Sequence, residues 1–267
     1  MQALLNTAIK AARRGGDLAA RQLKRLGELK IESKGANDFV TQVDRAAEEQ
    51  IIESIREYYP DHAFLAEESG AQGDSDHVWI IDPLDGTTNF IHGLPIFAVS
   101  IALRIRGRLE VGVVYDPNRQ EIFTALRGRG AQVDGHKIRV SGRRGLNDAL
   151  IGTGFPYRSR EKLETYVKML ASVLARTAGV RRPGAASLDL AWLAAGRYDG
   201  FWDFGLNTWD IAAGCLLVRE AGGLISELQG EGDYLESGNI VAGTPKVHDA
   251  LRALLMAELQ GPAPAPS

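Results

Sequence analysis

The densest run of reactive side chains in the chain is Trp79-Ile80-Ile81-Asp82-Pro83-Leu84-Asp85-Gly86-Thr87-Thr88-Asn89-Phe90. An apolar stretch ends in two carboxylates three residues apart, then an Asp-Gly turn, two hydroxyls and an amide. Carboxylates at a strand terminus suit hard divalent cations such as Mg2+, and a glycine followed by backbone N–H groups can cradle a phosphate. Pro83 is expected to stop the strand from continuing as a central ladder, so that both acids project from its end. A helix starting at Thr87 would add its positive end to that anion site. The plain alternative is an Asp-Gly turn with helix caps, but structural turns rarely place two acids directly behind an apolar strand.

Two further acidic positions extend the pattern. Glu67-Glu68 follows the apolar run 63–66, repeating the strand-then-acid design, although adjacent acids alone describe a solvated loop equally well. Asp210, in Trp209-Asp210-Ile211-Ala212-Ala213-Gly214, heads an otherwise apolar helix, where its bland role is that of a charge at a helix N-terminus. Only together do these segments define a multi-metal carboxylate site. An aspartyl-phosphate mechanism of the haloacid-dehalogenase kind needs Asp-x-Asp-Gly-Thr; here Pro83 stands two before Asp85 and cannot be the nucleophile. Metal-activated water remains.

The elements that must position these groups follow from periodicity. Residues 3–26 read as an amphipathic helix with Leu4, Leu5, Ala8, Ile9 and Ala12 at helical spacing, weakened in the middle by Gly15-Gly16. A strand-like Leu29–Glu32 leads into a polar loop, Ser33–Asp38, which could be a lid over the metals or a plain surface turn. A second helix starts near Asp44, with a capping-box spacing from Thr41, and carries Ile51, Ile52 and Ile55 towards Pro60. Phe97 to Val140 reads as consecutive antiparallel strands, turning at Arg106-Gly107-Arg108, Asp116-Pro117-Asn118 and Asp134-Gly135. A helix over about 159–176, a helical Ser187–Ala195, a strand Asp199–Asp203, a helix Thr208–Ala221, a short strand 239–243 and a final helix from Pro245 to about Gln260 complete the chain. The meander without a strict βαβ rhythm argues for a mixed sheet in an α/β (mixed α+β) protein. Residues 1–145 are expected to form an N-terminal subdomain with most of the metal ligands, 146–260 a C-terminal subdomain completing the site, and 261–267 a flexible tail.

These motifs resemble those of the inositol monophosphatase family. Asp82–Phe90, Glu67-Glu68-Ser69 and Trp209–Gly214 look like its three signatures in the family's order, and the likeness covers about residues 1–258. The texture of Gly184–Ala191 and Gly222-Gly223 is similar to that of the bacterial extragenic-suppressor branch. The resemblance implies a layered α/β/α/β/α sandwich of the inositol monophosphatase and fructose-1,6-bisphosphatase type. It also implies lithium sensitivity, a homodimer and roughly two or three Mg2+ ions per site. Carried over by position, Glu67, Asp82, Asp85 and Asp210 would ligate metal with their side chains and Leu84 with its carbonyl. Thr87 would hold the attacking water and Asp44 would polarise Thr87, with Glu67 among the catalytic groups. The N–H groups of Gly86 and Thr87 would hold the phosphate, with Asp85 beside them, while Gly184, Ala185, Ala186 and Asp203 would line the substrate. Ala185 and Asp203 depart from relatives that carry a hydroxyl residue and a Glu there, which bears on ring selectivity and leaves the metal chemistry intact.

The resemblance implies a Mg2+-dependent hydrolase of inositol 1-phosphate. The alternatives are the same chemistry on another small phosphate (fructose 1,6-bisphosphate, a nucleotide 3′-phosphate or histidinol phosphate) and a non-catalytic part in ribosomal RNA transcription antitermination through the transcription machinery or RNA. The basic stretch from Arg127 to Arg144 and Arg181-Arg182 could contribute to the latter, but a solvated basic hairpin is the favoured reading.

Across 267 residues, 31 Lys and Arg face 34 Asp and Glu, an ordinary globular balance that argues against a dedicated nucleic-acid binder. With five acids gathered at a metal site, the remaining 29 no longer exceed the basic residues, so an anionic partner stays open. No apolar run reaches the roughly 20 residues of a membrane span. The N-terminal residues lack the layout of a signal peptide, and a lone Cys215 makes no intrachain disulfide. The expectation is a soluble cytoplasmic protein. The five scattered histidines are expected at the surface or in packing, Cys215 as a small core residue, and Trp202 and Trp209 as core at least as readily as ligand contacts.

Overall fold

In the computed structural model, which describes residues 1–26, 31–35, 38–156, 160–230 and 232–260, helix α1 (Gln2–Leu23) runs unbroken through Gly15-Gly16. The two glycines are required by packing. A Cβ on Gly15 would stand 2.7 Å from the Ile51 side chain, and one on Gly16 would stand 2.6 Å from the ring of Tyr115. They therefore let α1 press against α2 (Gln42–Arg56) and the sheet beneath. β1 (Ile31–Gly35) and β2 (Asp38–Thr41) pair antiparallel, so residues 33–35 and 38 of the expected polar loop are strand, with residues 36 and 37 between them. Those two lie outside the described residues, as do Leu29 and Lys30 and the tail from 261, and the lid expectation falls there.

An eight-stranded sheet carries the first half of the site. Its strands are β3 (Ala63–Ala66), β4 (Gly70–Gln72), β5 (His77–Asp85), β6 (Ala98–Ile105), β7 (Arg108–Asp116), β8 (Glu121–Leu126), β9 (Gly130–Val133) and β10 (His136–Ile138). They lie in the order β10-β9-β8-β7-β6-β5-β3-β4, with α3 (Thr87–Ile91) leading from β5 to β6. The meander from β6 to β10 is antiparallel, as the turn residues predict, whereas β3 and β5 are parallel.

A five-stranded sheet carries the second half. It is built from β11 (Leu150–Thr153), β12 (Gly179–Arg181), β13 (Gly200–Asp203), β14 (Leu224–Glu227) and β15 (Ile240–Gly243), ordered β12-β11-β13-β15-β14. The helices here are α4 (Leu163–Leu174), preceded by a 3-10 turn at 160–162, α5 (Ala186–Ala194), α6 (Thr208–Glu220), the single turn α7 (Tyr234–Ser237) and α8 (Pro245–Gln260). The short elements β4, β12, β14 and α7 carry too few residues to show a period in sequence.

Three apolar clusters define the layers. One joins α1 and α2 to the outer face of the large sheet. The second fills the space between the sheets around α5 and α6. The third lies beyond the small sheet, under α4 and α8. The order is α/β/α/β/α, as expected. Its middle layer explains why α5 and α6 read as apolar all round: residues 186–194 and 211–218 are buried because a sheet covers each side.

One expectation is corrected. Strand β5 does not end at Pro83 but continues to Asp85, which pairs with Ala98 of β6 after a shift in register between Asp82 and Asp85. Proline, which offers no ladder N–H, sits within that irregularity, where its missing donor breaks no regular bond.

Candidate active site

The parallel pairing of β3 with β5 sets Ala66 against Ile81, and the Glu67 N–H continues the ladder to the Ile81 carbonyl at 3.1 Å. The two strands therefore finish side by side, and Glu67 emerges next to Asp82. Glu48 of α2 holds this turn from behind: its buried carboxylate accepts the N–H groups of Glu68 at 2.8 Å and Ser69 at 2.9 Å. Nothing in the local sequence singled out Glu48, whose only signal was an acid on an otherwise apolar helix face.

Asp82 accepts the Leu84 N–H at 2.9 Å, which folds the backbone around the bulge. Gly86 follows at φ 100°, a left-handed conformation, and a Cβ there would stand 2.9 Å from the Ile96 carbonyl. Only glycine fits this corner. The short helix α3 then begins at Thr87.

Asp210 reaches the same place from the other sheet side. Its carboxylate accepts the Asn207 N–H at 2.7 Å at the start of α6, and Ser100 of β6 donates to the Trp209 carbonyl at 3.0 Å, tying that helix end to the strand opposite Asp82. Asp85 accepts the N–H (2.7 Å) and hydroxyl (2.5 Å) of Ser187 in the first turn of α5. Both acids thus have the helix-start role anticipated for Asp210, and still face the cleft.

One cleft of about 170 Å³ is lined by Glu67, Asp82, Leu84, Asp85, Gly86, Thr87, Gly184, Ala185, Ala186, Asp203 and Asp210. Every residue singled out in sequence lines it except Asp44, which stands behind Thr87. Asp44 accepts the Thr87 hydroxyl at 3.0 Å on Oδ1, while the Thr41 N–H (2.9 Å) and hydroxyl (2.6 Å) hold its Oδ2 in the expected capping box. The Thr87 oxygen also lies 3.1 Å from the Leu84 carbonyl.

Contacts not foreseen in the sequence support the walls. Asn89 donates to the carbonyls of Ile96 and Pro183, both at 2.8 Å, joining the Gly86 corner to the Gly184 segment. Gly154 backs Asp203, where a Cβ would stand 1.9 Å from its carboxylate. Asp189 is buried beside them with Oδ1 unpartnered.

Electrostatics show what the cleft lacks. Burial, then the charges of Glu67, Asp85 and Asp210, push the Asp82 carboxyl well above the ordinary carboxylate range. Burial lifts Asp85 to about 6 against the opposing bonds from Ser187, and Asp203 to about 7. Burial also raises Asp44, with the bonds from Thr41 and Thr87 opposing it. A carboxylate group this mutually repelled is completed by positive charge.

The donor set, carboxylates with one carbonyl, is the hard-oxygen set that Mg2+ prefers. Among the described residues no three Asp, Glu, His or Cys side chains are already gathered tightly enough to grip an ion. The acids line the cleft without forming a closed ligand cluster, so gripping a cation requires side-chain adjustment. The chemistry of the site fits a divalent cation.

Other residues have structural roles. Cys215 is buried, and burial pushes its thiol up to about 12. Trp202 packs under α8, and Trp209 against the central layer. His62 and His77, distant in sequence, stack with ring centroids 4.6 Å apart, and Trp79 donates to His62.

A five-layer sandwich in which acids from just past β3, from β5 and from the start of α6 converge beside a glycine corner defines the class: a phosphatase fold. The profile of the inositol monophosphatase family matches residues 1–260. The Nus factor SuhB of Pseudomonas aeruginosa is 54% identical, over 97% of this chain and 98% of that protein. The extragenic suppressor protein suhB from Bartonella henselae superposes with a TM-score of 0.92 at 45% identity, covering 95% of this chain and 98% of that one. The inositol monophosphatase from Anabaena superposes at 0.86 with 38% identity, covering 98% and 97%. This chain belongs to the inositol monophosphatase family. Among its described residues no helix is long and apolar enough to cross a membrane.

Proposed function

We propose that the protein is a Mg2+-dependent phosphomonoesterase that hydrolyses inositol 1-phosphate to inositol and phosphate. One observation carries this reading: acids from three separate segments converge on one cleft whose corner is formed by Gly86 and Thr87 at the start of α3, with Thr87 backed by Asp44. Glu67, Asp82, Asp85, Asp210 and the Leu84 carbonyl would hold the cations. Bound Mg2+ would supply charge neutralisation on the phosphate and an acidified water.

The chain's own groups do the rest. The Gly86–Thr87 backbone binds a phosphate oxygen where no side chain intervenes. Asp44, fixed by two bonds from Thr41, takes the Thr87 hydroxyl hydrogen in a hydrogen bond, so the Thr87 oxygen is left to accept a hydrogen bond from water and aim it. Glu67, in the same cleft, would be a second acceptor for that water. Gly184, Ala185, Ala186 and Asp203 form the wall where the alcohol portion lies, and their small size together with the Asp203 carboxyl suits a polyol.

The test is a substrate panel with free phosphate as the readout: inositol 1-phosphate, fructose 1,6-bisphosphate, a nucleotide 3′-phosphate and histidinol phosphate, with Mg2+ and with EDTA. The expected outcome is preferred, Mg2+-dependent and lithium-sensitive turnover of inositol 1-phosphate. Turnover no faster than that of the other esters overturns the named substrate. The 54% identical relative named a Nus factor favours a second reading, a role in transcription antitermination. Pulldown with wild type and Asp82→Asn separates the two: transcription proteins retained by the variant indicate a role independent of catalysis. We further propose a cytoplasmic homodimer whose two halves, 1–145 and 146–260, close the cleft between them.

A further inference from the structure

A second concavity, of about 540 Å³, lies at the other end of α6, lined by the β6–β7 turn, Arg127 and the segment around α7. From Asp210 to Arg219 the helix advances roughly 14 Å, so this groove is separate from the acidic cleft. Its size falls in the range of small-molecule sites, roughly 300–1,000 Å³. Three guanidinium groups face one carboxylate in its lining: Arg108, Arg127 and Arg219 against Asp233.

The carboxylate is already engaged, because Asp233 accepts the Leu235 N–H at 2.8 Å as the cap of α7. Arg127 has its Nε tied to the Leu109 carbonyl at 2.7 Å and to Glu110 at 3.2 Å. Those bonds fix its plane and use none of its terminal nitrogens. Arg219 lies over the ring of buried Tyr234, 5.2 Å from its centroid, which holds that guanidinium in place. The Arg108 guanidinium forms no ion pair or hydrogen bond among the described residues. Gly107 contributes no side chain to the rim, and a Cβ there would meet nothing within 4 Å, so the entrance is open.

Two oriented guanidinium groups and one unengaged beside them, in a concavity, match the oxygens of a phosphate group, which Arg recognises with paired N–H donors. We propose that this groove is a binding site for a phosphate-bearing ligand, supplied either as a small polyphosphate or nucleotide or as the backbone of a single-stranded RNA. The ligand's phosphates lie between Arg108, Arg127 and Arg219, with Tyr234 beneath Arg219 as a rigid support. The site stands on its own residues and does not depend on the hydrolytic reading.

Isothermal titration of the full chain in EDTA, where the acidic cleft repels anions, tests it with three probes: tripolyphosphate, ADP and a short single-stranded RNA. At least one probe is expected to bind. Binding should weaken about tenfold or more, the loss of roughly 1.4 kcal/mol, in Arg108→Glu/Arg219→Glu. Arg219→Lys, which keeps the charge and loses the fork, should fall between the two. Circular dichroism and phosphomonoester hydrolysis should be unchanged in these variants; if the double reversal does not fold, Arg108→Gln/Arg219→Gln takes its place. Binding of tripolyphosphate or ADP identifies a small-molecule source, and binding of RNA alone identifies a strand. Failure of all three probes, or binding indifferent to the arginine variants, overturns the proposal.

Discussion

The two ends of α6 face opposite electrostatic problems. At its start, half-buried Asp210, pinned to the Asn207 N–H, joins the buried acids Asp82, Asp85 and Asp203. Burial raises the carboxyls of those three against the opposing bonds from Leu84, Ser187 and Phe204 and the charge of Arg182. At its finish, Arg219 joins exposed arginines whose charge is solvated and whose position is set by an aromatic ring and a carbonyl. Carboxylates on tight turns give accurate placement at an electrostatic cost. Long cationic side chains give an attractive surface with little such cost, and less accuracy. The first arrangement suits chemistry on a bound group, the second recognition of one.

The largest expected effect separates the two regions outright. Asp82→Asn keeps the acceptor for the Leu84 N–H and removes one buried charge, so Mg2+-dependent hydrolysis should be nearly abolished while the melting temperature in EDTA rises. Anion binding at the arginine groove should not change. A wild-type rate in the purified variant would sink the cleft assignment. Next comes Glu48→Ala, which leaves two N–H groups of the Glu67 turn without their acceptor, at a cost of about 1–3 kcal/mol. Mg2+ affinity measured by calorimetry should fall by roughly 10–100-fold, with partial recovery in Glu48→Gln; unchanged affinity would show that the turn holds itself.

Gly16→Ala touches neither region. It overpacks α1 against Tyr115 and should cost about 1–3 kcal/mol in denaturant unfolding, lowering both functions only through the folded fraction. A selective loss of one would mean that α1 packing tunes that site. The effect confined to one pH window concerns Asp203, lifted by burial from 3.8 to about 7. Between those values the folded chain keeps a proton that the unfolded chain has lost. This contribution is therefore present at acid pH and is lost as the pH rises through about 7. In EDTA, Asp203→Asn should flatten the fall in stability across that window; an unaltered slope would place the titration on another group.

Much of the cleft was legible because its parts are contiguous or regularly spaced. The Asp82–Thr87 run, the Thr41–Asp44 capping box and the acid heading α6 are local features, and local chemistry survives folding. The strand expected to stop at Pro83 illustrates the opposite: proline's missing donor suggested an end, but a register shift against β6 absorbed it. The contacts that Glu48, Ser187, Asn89 and Gly154 make with segments at least 20 residues away could not be read locally. The arginine groove was hidden for the same reason. The basic stretch beginning at Arg127 was visible, but its meeting with Arg108 and Arg219 was not.

By itself the sequence determined the inventory: carboxylates in three short motifs, a glycine beside two of them, helices whose apolar faces fix their layers, and no surplus of positive charge. The tertiary structure decided which of these meet. Parallel pairing of β3 with β5 brings Glu67 beside Asp82, a hydroxyl on β6 fixes the start of α6 opposite them, and the sheet-bounded middle layer holds that helix so that its two ends present opposite charge. Such meetings depend on register and layer order, which arise from packing between distant segments and leave no local periodicity to read.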